Sequence, residues 1–87
     1  MKVVKELEAI EVLSAGAEKP QHWRIVILQR DDGLFTFAEE YFYTRDRAGK
    51  FTAPAWARLD PQGIFASAEM AQADGRLFLL QKHRMER

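Results

Sequence analysis

Trp23-Arg24-Ile25-Val26-Ile27-Leu28-Gln29-Arg30, then Asp31-Asp32-Gly33, then Leu34-Phe35-Thr36-Phe37-Ala38-Glu39-Glu40-Tyr41-Phe42-Tyr43-Thr44 is the stretch on which the fold turns. Both arms are rich in β-branched and aromatic residues, and a glycine-bearing corner separates them, which predicts a β-hairpin. The corner allows two registers. A two-residue turn at Asp32-Gly33 sets Leu28 against Phe37 and Trp23 against Phe42, and both faces of the ribbon are then mixed. A three-residue loop with Gly33 left-handed sets Ile27 against Phe37, Ile25 against Glu39, Arg24 against Glu40 and Trp23 against Tyr41. That register collects Trp23, Ile25, Ile27, Phe35, Phe37, Tyr41 and Tyr43 on one face. The other face receives Val26, Leu28, Thr36, Ala38 and Phe42, with Arg24 beside Glu40. It is preferred because it separates apolar from mixed surface and places opposite charges across from each other. Glu39 is the odd residue of the apolar face.

Working outward, the polar, basic stretch 45–50 leads to Phe51, Thr52, Pro54 and Ala55-Trp56-Ala57-Arg58-Leu59. A proline here reads as a third strand that is interrupted or on an edge. Asp60-Pro61-Gln62-Gly63 has type I turn chemistry. Ser67 is then a good N-cap, Glu69 suits a first turn, and Met70, Ala73, Leu77 and Leu80 repeat at helical spacing, predicting a helix from 68 to about 82 with Met70, Leu77 and Leu80 on the sheet. Asp74-Gly75 offers an alternative, a turn into a fourth strand at Arg76 to Gln81. Upstream, Val3, Leu7 and Ile10 sit at helical spacing and predict a helix over 3–13; a strand across Ala9 to Leu13 is the competing reading. Residues 14–21 are a connector.

The expectation is one α+β domain: helix, three-stranded antiparallel meander over 22–59, and C-terminal helix. Eighty-seven residues leave room for one small core. The chain is 47% hydrophobic and 30% charged, which argues against disorder. It has no cysteine, so neither a disulfide framework nor a thiolate metal site is available. No apolar run is long enough for a membrane span, and the charged N-terminus does not read as a signal peptide, so a soluble cytoplasmic protein is expected. Thirteen basic and thirteen acidic side chains cancel, leaving no overall field to draw nucleic acid or anionic lipid. Residues 1–44 hold five basic and eight acidic groups, net −3, and 45–87 hold eight and five, net +3.

The helix-strand-strand-strand-helix order is similar to the double-stranded-RNA-binding domain, a resemblance that implies phosphate-gripping lysines at the start of the last helix. Here that position reads Ser67-Ala68-Glu69-Met70-Ala71-Gln72-Ala73, acidic instead. The hairpin joined to Trp56 and the stretch Gly63-Ile64-Phe65-Ala66-Ser67-Ala68-Glu69-Met70-Ala71 resembles a group of short bacterial proteins of unknown function. That resemblance implies a small α+β domain and supplies no activity.

No catalytic, phosphate-binding or zinc-binding pattern is present, and no cofactor is expected. Short helices cannot cover a whole sheet, so Phe42, Leu28, Val26, Phe51 and Trp56 are expected to form exposed apolar surface. That surface points to a non-enzymatic protein-interaction module, with a second copy as one partner. Nucleic acid is a less favoured partner, through Arg45, Arg47, Lys50 and Arg58 interleaved with Phe51 and Trp56; a solvated hairpin loop is the plainer reading. Glu39 and Glu40 point to opposite faces of a strand and so form no acid/base pair; solvated edge or bulge positions are the plainer reading. A half-buried Glu39 with Tyr41 and His22 would make a polar ligand site.

Overall fold

The computed structural model describes residues 1–13, 16, 20–45 and 51–83, and of residues 44, 45 and 51–54 the backbone alone. Among the described residues six strands and one helix follow one another: β1 Lys2–Glu6, β2 Ile10–Val12, β3 Gln21–Gln29, β4 Phe35–Arg45, β5 Phe51–Arg58, β6 Gln62–Phe65 and α1 Ala68–His83. All pairings are antiparallel in one curled sheet. The β3–β4 hairpin is its centre. β1 and β2 share the outer edge of β3, and β5 and β6 share the outer edge of β4. The architecture is thus α+β, a sheet packed on a C-terminal helix, with more strands than the three expected.

The three-residue corner sets the hairpin register. Arg30 N–H donates to Leu34 O at 2.7 Å, and Gly33 has φ +86°, a left-handed conformation that a glycine adopts without strain. Ile27 therefore faces Phe37, Ile25 faces Glu39, Arg24 faces Glu40 and Trp23 faces Tyr41. The Asp32 carboxylate reinforces the corner by accepting from Leu34 N–H at 3.0 Å and from Arg30.

The N-terminus is not a helix. β1 pairs with β3 so that Val3 faces Leu28 and Glu6 faces Val26, and Leu7 N–H donates to Ile25 O at 2.9 Å. A β-branched Val3-Val4 pair suits a pleated strand, and the open edge of β3 supplies the hydrogen bonds that a short isolated helix would have to make alone. Leu7 and Ile10, read as a helical stripe, are both core contacts, reached from a strand end and a strand start. The helix-first order that made the chain similar to the double-stranded-RNA-binding domain is therefore replaced by strands. Pro54 falls in β5, on an edge, where the register shifts between the Tyr43 and Arg45 pairs. The segment expected to be only a turn after Asp60 becomes β6, pairing Phe65 with Phe35.

α1 is continuous through Gly75, with Met70 N–H on Ser67 Oγ at 3.2 Å as the cap. Its seat on the sheet differs from the expected one. Met70, Leu77 and Leu80 are 53%, 54% and 44% exposed, while Ala71, Gly75 and Leu79 are buried. The small side chains decide this. A Cβ at Gly75 would lie 2.8 Å from Ile25 Cγ2 and 3.2 Å from Phe37 Cγ, so the helix backbone lies directly on the sheet there. The core on this side joins Leu7, Ile25, Ile27, Phe37, Ala71 and Leu79, with Trp23, Phe35, Phe65 and Phe78 around them.

Candidate functional site

The second face of the hairpin is not the exposed patch expected of it. Val26, Leu28 and Ala38 form a small buried cluster of their own, with Val26 and Leu28 at most 1% exposed. Phe42 and Trp56, paired across β4 and β5, are half-buried and meet edge to face at 5.1 Å. The Arg24 guanidinium stacks over the Trp56 ring at 4.2 Å. The Phe51 side chain lies outside the described residues. Of the five proposed contact residues, only Phe42 and Trp56 thus retain described surface.

Adjacent glutamates organise the two faces. Glu40 is 3% exposed and sits between two arginines: Arg24 Nε and Nη2 at 2.8 Å on one oxygen, Arg58 Nε at 2.9 Å on the other. Arg24 also reaches Glu6 at 3.6 Å. One carboxylate thereby ties β3, β4 and β5 together, with β1 attached through Glu6. The Arg24–Glu40 pairing is the one the register predicts. Arg58, the only member of the proposed basic patch whose side chain is described, is engaged in this cluster. Arg45 ends β4 with its side chain undescribed, and Arg47 and Lys50 lie outside the described residues.

Glu39, 2% exposed, points to the helix side. Lys82 Nζ donates to one oxygen at 2.6 Å, and His83 Nε2 lies 2.7 Å from the other. An ionised carboxylate only accepts, so that bond places a proton on Nε2. The His83 ring packs on Trp23 with centroids 4.6 Å apart, and Trp23 packs on Tyr41 at 5.6 Å. His22 is not part of this site: it pairs with Glu11 at 3.2 Å and alternates to the opposite face from Glu39. Neither glutamate is a solvated edge position. Each carboxylate offsets its desolvation with two side-chain partners, Arg24 and Arg58 on Glu40 and Lys82 with the His83 ring on Glu39. Both oxygens of Glu39 are engaged, so the carboxylate expected to greet a ligand instead fastens the end of α1.

Apolar surface remains on α1. Met70, Ala73, Leu77 and Leu80 form an exposed stripe on the side away from the sheet. Beside Leu80 a groove of about 400 Å³ opens between α1 and the β1–β2 connection, floored by Leu7, Ile10, Ile25 and Leu79, with Glu8 and Arg76 also lining it. The helix is therefore apolar on two opposite sides. Glycine in mid-helix was the sequence signal that the sheet-facing stripe was the small one. No helix among the described residues is long and apolar enough to cross a membrane.

No protein-family model, curated protein or solved structure matches this chain.

Proposed function

We propose that the protein is a non-enzymatic interaction module whose contact surface is the outer face of α1. The observation that carries this reading is a helix with two apolar sides. One side is occupied by the sheet, and the other leaves Met70, Leu77 and Leu80 about half exposed beside an apolar groove. A helix hydrophobic all round is ordinarily buried all round, and contiguous exposed apolar surface marks interaction sites. The buried carboxylates support a structural rather than a chemical role, since both oxygens of each are engaged by side chains of the same chain.

A dye that fluoresces on apolar surface tests the reading. Dilute protein is expected to bind it, and a folded Leu77→Gln, Leu80→Gln variant is expected to lose most of that signal. A native protein that never binds the dye, or a variant that binds as well as native, would contradict it.

A further inference from the structure

We infer that the partner of this face is a second copy of the chain, docked with its α1 antiparallel to the first across a two-fold axis. The inference rests on the interaction-face reading above and adds the identity and orientation of the partner. The stripe Met70, Ala73, Leu77, Leu80 has the alternating three- and four-residue spacing of a seam between paired helices. Charge then selects the orientation. Glu69 and Arg76 are both exposed and, seven residues apart, lie on one flank of the stripe, while Asp74 lies on the other. In an antiparallel pair like flanks meet. The register that sets Met70 against Ala73 of the second copy brings Glu69 within two residues' rise, about 3 Å, of the level of Arg76 of the second copy on the flank they share, and the two-fold repeats the pair. A large side chain thereby meets a small one in each central layer. Leu77 comes to the start of the other helix, near Ala66 and the exposed Ile64. A parallel pair would instead set the flank of Glu69 and Arg76 against the Asp74 flank, so that Glu69 approaches Asp74 of the second copy and the two Glu69–Arg76 contacts are lost.

Such an interface closes on itself, so association stops at the dimer. One helix face is small beside the roughly 1,200–2,000 Å² of a stable complex, so the dimer is weak and concentration-dependent.

Light scattering over a hundredfold range of concentration, at low salt where exposed charges are little screened, tests the inference on the full chain. The native protein passes from monomer to dimer. Glu69→Arg and Arg76→Glu each replace two attractive contacts with two repulsive ones and weaken association about tenfold. The double variant Glu69→Arg, Arg76→Glu restores it, and an equimolar mixture of the two single variants associates more tightly than either alone. Circular dichroism confirms that each exposed substitution leaves the fold intact. Single variants that dimerise like native, or a double variant that fails to recover, would overturn the antiparallel pairing. A native chain that stays monomeric throughout while still binding the apolar-surface dye would overturn the second copy as partner and leave the interaction face standing. Absence of both dimer and dye binding would remove the two together.

Discussion

Glu39 and Glu40 are neighbours in one strand, similarly buried and each held by two side-chain partners, yet they do different work. Glu40 reaches sideways, to Arg24 on β3 and Arg58 on β5, and binds strand to strand. Glu39 reaches across the layers, to Lys82 and His83, and binds helix to sheet. The pleat alone produces this division, because successive side chains leave a strand on opposite sides. A buried charge is therefore best classified by which elements its partners come from. The same pairing chemistry stabilises a sheet in one case and positions a helix in the other.

The contrast can be broken at its strongest point through Gly75. Gly75→Leu inserts a branched side chain where even a Cβ meets Ile25 and Phe37, and lifts α1 off the sheet. A loss of about 3 kcal/mol is expected from overpacking, despite better helix propensity. Denaturant unfolding measures it, and amide exchange is expected to show the last turn of α1 opened while β5 keeps its protection. A variant as stable as native would mean that the helix does not approach so closely.

Removing each carboxylate sharpens the comparison. Glu39→Ala and Glu40→Ala each leave cations without their partner and cost about 2 kcal/mol, reduced from the full buried-pair figure because Lys82 and Arg58 are each more than 40% exposed. Their local signatures should differ. Glu39→Ala is expected to speed exchange at the end of α1, and Glu40→Ala at β5. Identical exchange maps would erase the distinction.

Lys82→Ala is expected to cost less than about 1 kcal/mol, because that ammonium is partly in water and His83 remains on Glu39. The smallest effect belongs to the hairpin corner. Leu34 N–H, then Arg30, holds the Asp32 carboxyl below its ordinary value of 3.8. A depressed carboxylate stabilises the fold above that value and loses its contribution as pH falls through the lower folded one. Asp32→Asn should therefore remove a small contribution that is present at neutral pH and flatten this acid limb of an unfolding-versus-pH curve; a variant whose acid limb is as steep as native would contradict the assignment.

The hairpin register was legible because alternation and corner chemistry agree: Ile27 and Phe37 share a face with the three-residue corner and not with the two-residue one, and Gly33 supplies the left-handed residue that the longer corner needs. The face that α1 buries was not. Both of its stripes are apolar, and spacing favoured the larger residues Met70, Leu77 and Leu80. Close approach instead selected Ala71 and Gly75, a tertiary effect that Ile25 and Phe37 impose from the sheet. Val3, Leu7 and Ile10 signalled burial, but periodicity over so few residues could not separate a helix from two short strands. Val26 and Leu28 were read as surface because short helices cannot cover a whole sheet; both are buried all the same. The oddness of Glu39 was visible in the register, while its partners Lys82 and His83 became neighbours only through the length and seating of the helix.

The orientation of α1 governs the remaining conclusions, and methyl-resolved magnetic resonance reads it directly. With a soluble paramagnetic probe in dilute solution, the Leu79 methyls should be shielded and show contacts to Ile25 and Phe37, while the Met70, Leu77 and Leu80 methyls are strongly relaxed. Shielded Leu77 methyls in contact with Phe37, with Leu79 in solvent, would show the helix turned the other way and contradict the account.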